Sequence, residues 1–106
     1  MRSLVWTGMV AAAVLWASAA AAFECPARIE ESKAAVQRAE AAFEKAKAAA
    51  RAAARGPLTK AREMLAHAEV EHRGAGTDVK KHAEAVREAR VAQGYAEEAR
   101  IIAERF

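Results

Sequence analysis

Lys60-Ala61-Arg62-Glu63-Met64-Leu65-Ala66-His67-Ala68-Glu69-Val70-Glu71-His72-Arg73, then Gly74-Ala75-Gly76-Thr77-Asp78, then Val79-Lys80-Lys81-His82-Ala83-Glu84-Ala85-Val86 run on without interruption, and their reading decides the fold. The outer two pieces are built almost wholly from strong helix formers, with apolar residues three and four positions apart. The middle piece holds two glycines within three residues, each costing about 1 kcal/mol against alanine inside a helix. Thr77-Asp78 then supplies the residue types that cap a new helix. The stretch therefore reads as a helix, a short turn and a second helix folded back on the first.

Upstream, Gly56-Pro57 predicts another interruption, because Pro57 has no N–H to donate and disfavours helical geometry at the residue before it. Three helices are expected, at about 27–55, 58–73 and 78–105. In the first, Ile29, Val36, Phe43 and Ala50 recur every seven residues, with Ser32, Ala39, Ala46 and Ala53 three positions after each. The second continues with Leu58, Ala61, Leu65, Ala68 and His72, so its seam ends on a histidine. The third opens with Val79, His82, Val86 and Ala89, and its stripe then shifts to Ala92, Tyr95, Ala99, Ile102 and Phe106, which predicts a bend at Gly94. The fold class that follows is all-α, an antiparallel three-helix bundle.

At 106 residues the chain is at most one small domain. Its apolar fraction of 54 % is mostly alanine and only 6 % of residues are aromatic, which leaves few large side chains for a deep core or an enclosed substrate pocket. Alanine seams contribute little burial, so two states are open: a monomer of modest stability, or a homodimer or complex with a helical protein partner. In the second, Ile29, Val36, Phe43, Tyr95, Ile102 and Phe106 supply the contact.

The N-terminus has a different character. Arg2 is followed by an apolar run from Leu4 to Trp16 and then by Ala17-Ser18-Ala19-Ala20-Ala21-Ala22, the three-part form of a signal peptide with an A-x-A site before Phe23. Residues 1–22 are therefore expected to be removed, leaving residues 23–106 as a periplasmic or secreted domain with no stable membrane insertion. An uncleaved anchor over Leu4 to Phe23 is the competing reading, at about the length needed to span a bilayer. Cys25 lacks the small residue before it that lipidation requires, and one cysteine forms no internal disulfide; it is a free thiol or half of an intermolecular disulfide.

The net charge of +3 is small and mixed in sign, which is no nucleic-acid signature. Lys45, Lys47, Arg51, Arg55, Lys60 and Arg62 form the one basic concentration, read as a solvated helix face. No nucleophile elbow, P-loop, dinucleotide fingerprint or HExxH occurs, so no catalytic residue is assigned and an enzyme is not expected.

All three histidines fall between Glu63 and Glu84. Glu63, His67 and Glu71 stack at four-residue intervals on one helix face, and Asp78 and His82 repeat that pairing. Such pairs also stud ordinary solvated helices, where they bind nothing. Folded about Ala75, the hairpin matches His72 with Asp78 and His67 with His82 or Ala83. His67 and His82 are then the leading metal ligands, Glu63, Glu71 or Asp78 complete a mixed N/O set, and His72 is a third imidazole. Such ligands take divalent Cu, Ni or Zn, with copper favoured by the usual affinity order. Neutral imidazole is required, so binding weakens as pH falls through the ordinary imidazole value of about 6.5.

Lys60 to Glu69, Gly74-Ala75-Gly76 and Val79 to Val86 resemble the repeat of the small periplasmic metal-binding proteins, in which His-Ala-Glu helices alternate with Gly-containing turns. The resemblance spans roughly Lys60 to Gln93 and implies an exported helical bundle that binds copper, nickel or zinc through His67, His72 and His82. That family is rich in histidine, whereas this chain has three and carries Arg87 and Arg90 where histidine would be expected, which argues against high-capacity storage. Lys60 to Leu65 and Ala96-Glu97-Glu98-Ala99 are also similar to the alanine-rich helical domains of envelope proteins. That second likeness implies a structural or partner-binding role without a ligand.

Overall fold

The computed structural model describes the chain in full, side chains included, from Glu24 to Phe106. The expected signal peptide, residues 1–22, lies outside these described residues. Three helices follow one another: α1 (Arg2–Lys45), α2 (Ala48–Ala75) and α3 (Val79–Arg105). They form the expected all-α three-helix bundle, and the short connections make sequential helices antiparallel. Among the described residues no helix is long and apolar enough to cross a membrane.

The second turn lies where the glycines put it. Gly76 has φ +54°, a left-handed conformation that side chains resist, and it ends α2. Asp78 then caps α3, its carboxylate accepting from the backbone N–H of Lys80 at 3.0 Å and of Lys81 at 3.3 Å.

The first turn corrects the sequence reading. α2 runs through Gly56 and Pro57, and the chain reverses at Ala46-Lys47 instead. Arg51 fixes that reversal: its guanidinium donates to the carbonyls of Phe43 at 3.1 Å and Glu44 at 2.6 Å, satisfying acceptors that the end of α1 leaves open. Pro57 still lacks its N–H, but Ala54, Leu58 and Ala61 are all buried on either side of it, so packing holds the helix across the defect. Pro57→Ala is therefore expected to raise stability, by about 1–3 kcal/mol, in chemical denaturation. A loss of stability would mean that a helix starts at Pro57, as the sequence suggested.

α3 packs against α1 and α2 more extensively than these two pack against each other. Its buried stripe, Ala85, Ala89, Ala92, Ala96, Ala99 and Ala103, alternates three- and four-residue steps without a shift. Gly94 lies outside this stripe on the exposed side, and the seam passes it unbroken. On α1, Cys25, Ser32 and Ala39 are fully buried at seven-residue intervals, beside Ile29 and Val36. Leu65 packs against both core clusters, one around Leu58 and the other around Cys25, Ile29, Ala68, Ala85, Val86 and Ala89. The proposed dimer contact is thus largely used within the chain: Ile29 and Val36 are buried, and Phe43, Tyr95 and Ile102 pack on the core. Of those six residues Phe106 alone is exposed, at 75 %.

Candidate metal centre

The end of the bundle near the second turn collects three ligand-bearing side chains, one from each helix. Cys25 comes from α1, His72 from the last turn of α2 and His82 from the first turn of α3. One donor atom from each lies within 4.8 Å of the other two. The His72 and His82 rings meet edge to face, with centroids 5.5 Å apart and planes inclined at 62°. A transition metal sits about 2.0–2.1 Å from imidazole nitrogen and about 2.3 Å from thiolate sulfur, so closing on an ion takes side-chain shifts of about 1 Å.

The seams explain why these residues converge. His72 continues Leu58 and Leu65 at seven-residue spacing, and His82 stands seven before Ala89 on the α3 stripe. Cys25 stands seven before Ser32. Each helix thus carries its ligand on the face it turns to the others, where alanine would otherwise continue the core.

Neither histidine ring uses its Nδ1 in a hydrogen bond among the described residues. His82 Nε2 lies 2.8 Å from the carbonyl oxygen of Gly76, which only accepts, so Nε2 donates, and in the neutral ring Nδ1 is the nitrogen with the lone pair. Nδ1 of His82 and Nδ1 of His72 are both buried without a hydrogen-bond partner among the described residues. A backbone carbonyl holding the second nitrogen of a ring is the usual support for a metal-bound histidine, because it fixes both tautomer and orientation. A buried nitrogen with no partner is costly, and a bound cation would satisfy both.

Cys25 has no solvent exposure, and burial pushes its thiol above the ordinary range. Of the two states open to Cys25, a free thiol or half of an intermolecular disulfide, the structure holds the free thiol, and it is buried. In the metal-free protein the folded state holds the thiol neutral while the unfolded chain ionises it at lower pH. Stability should therefore be unaffected below the ordinary thiol range and decline above it, by at most about 1.4 kcal/mol per pH unit. Denaturation from pH 7 to about 10 in the presence of chelator checks this, with Cys25→Ser removing the decline.

The other expected ligands are elsewhere. His67 is exposed on α2 beside Ala66 and Val70, about 140° around the helix from His72, and does not meet His82. The hairpin turns about Thr77, not Ala75, which sets His72 opposite His82 and carries His67 away from the turn. Glu63 is exposed, 3.9 Å from Lys60. Asp78 is committed to capping α3. Glu71 belongs to no ligand cluster among the described residues.

His72 also lines a cleft of about 220 Å³ between α1 and α2, with Pro26, Ile29, Glu30, Lys33, Glu69 and Arg73. Lys33 lies 3.4 Å from both Glu30 and Glu69, tying the two helices across it. Compared with known proteins, the chain matches no family model, no curated protein and no solved structure.

Proposed function

We propose that the protein is an exported small helical bundle that binds one transition-metal ion through Cys25, His72 and His82. The observation that carries this reading is the meeting of one ligand from each helix, a buried thiol and two imidazoles whose Nδ1 atoms are buried without partners. Thiolate and imidazole together suit borderline and soft ions, zinc and copper ahead of nickel, more than the imidazole and carboxylate set inferred from the sequence. Three protein ligands leave a fourth position, which water fills in an open zinc site. Export is supported by the N-terminal pattern and by Pro26. With residues 1–22 removed, Pro26 would stand in the first turn of α1, where a missing N–H costs no hydrogen bond. A single site per chain, with His67 excluded, is a reading of specific binding and not of bulk storage.

Calorimetric titration of the reduced protein with Zn²⁺ tests it. One saturable site is expected, weakened about a hundredfold or more by Cys25→Ser or His72→Ala and unchanged by His67→Ala. No saturable heat, or heat lost with His67→Ala, would overturn the assignment and leave the bundle a structural or partner-binding module.

A further inference from the structure

We propose that this centre is a one-electron copper site that cycles between Cu²⁺ and Cu⁺ with its thiolate intact, an inference that rests on the metal-binding reading. One thiolate and two imidazoles in a trigonal set is the ligand combination of copper–thiolate electron-transfer sites. The ordinary obstacle to such a site is that Cu²⁺ consumes thiols: two thiolates and two Cu²⁺ give one disulfide and two Cu⁺, with each sulfur losing one electron to copper. That route needs two sulfurs in contact. The chain has one cysteine, and its side chain has no solvent exposure, buried among Ile29, Ala68, Ala85, Val86 and Ala89. No second thiol reaches it, so that oxidation is blocked and the sulfur keeps its electron.

The cycle then balances without bond breaking or proton movement. An outer-sphere one-electron donor gives its electron to Cu²⁺ bound by the thiolate and two imidazoles, producing Cu⁺ on the same three ligands, and a one-electron acceptor reverses it. His82 is held by the Gly76 carbonyl at 2.8 Å, and Cys25 by its packing in the core cluster, so two of the three ligands are fixed through the change. His72 and His82 are both half-buried, and His72 alone of the three ligands lines the cleft between α1 and α2, which makes its ring the point where a donor seated in that cleft comes closest to the metal.

The test adds one equivalent of Cu²⁺ to the reduced full chain under nitrogen, follows the visible spectrum, and measures Zn²⁺ binding in parallel. An intense thiolate-to-copper charge-transfer band is expected. It should bleach with ascorbate, return with ferricyanide over repeated cycles, and be absent in Cys25→Ser. After removal of copper the protein should have unchanged mass and one titratable thiol. Zn²⁺ binding without the band, or a band that decays as the thiol is lost to oxygenated or disulfide-linked species, would overturn the copper proposal and leave the metal site standing. Failure of both Zn²⁺ and Cu²⁺ to bind would overturn both.

Discussion

Saturating Zn²⁺ is expected to raise the melting temperature of the bundle by about 15–30 °C. In the proposed centre the ion would bind the folded state through one ligand from each helix, an arrangement that the unfolded chain does not offer. At a free concentration a thousand times the dissociation constant the linkage is worth about 4 kcal/mol. For a domain of this size each kcal/mol moves the midpoint by about 4–8 °C. The core itself contributes little, because among the described residues most of those buried are alanines and the largest fully buried side chain is Leu58. Thermal unfolding followed by circular dichroism, with zinc and with chelator, measures the shift. Cys25→Ser should abolish most of it and His67→Ala none, whereas an equal shift in all three proteins would place the ion elsewhere.

Leu58→Ala is expected to cost about 2–5 kcal/mol, toward the upper end of that range. Leu58 is 1 % exposed, and its surroundings include Ala35, Ala39, Ala54, Ala61, Ala96 and Ala99, short side chains that cannot swing in to fill the space. A small domain holds about 5–15 kcal/mol in total, so this one truncation removes a large share of it. Urea denaturation of the metal-free variant checks it. Leu58→Met, which keeps the volume, should cost less than about 1.5 kcal/mol and separates cavity formation from any requirement for leucine.

Much of the fold was legible because its signals are local. Gly76 at positive φ and Asp78 as cap act on their immediate neighbours, and both stand where a sequence reader places a turn. The reversal at Ala46-Lys47 was not legible, since both residues are good helix formers. It depends on Arg51 reaching back across the turn, and on burial either side of Pro57 outweighing that residue's missing donor. The site divides in the same way. His72 stood out as the end of a seam and His82 as the start of one. Pairing His82 with His67 failed because a displacement of the turn's centre from Ala75 to Thr77 changes which residues share a height. Cys25 was legible in principle, seven residues before Ser32, but its position beside the export segment drew the reading toward disulfide chemistry. Carboxylates at four-residue spacing misled most: Glu63 and Asp78 answer to Lys60 and to the α3 backbone.

X-ray absorption at the zinc edge, on the full chain loaded with one equivalent of Zn²⁺, tests the three-helix centre most directly. The expected first shell contains one sulfur at about 2.3 Å and two imidazole nitrogens at about 2.0–2.1 Å, with a light atom completing four-coordination. A shell of nitrogen and oxygen alone, with no sulfur, would contradict it.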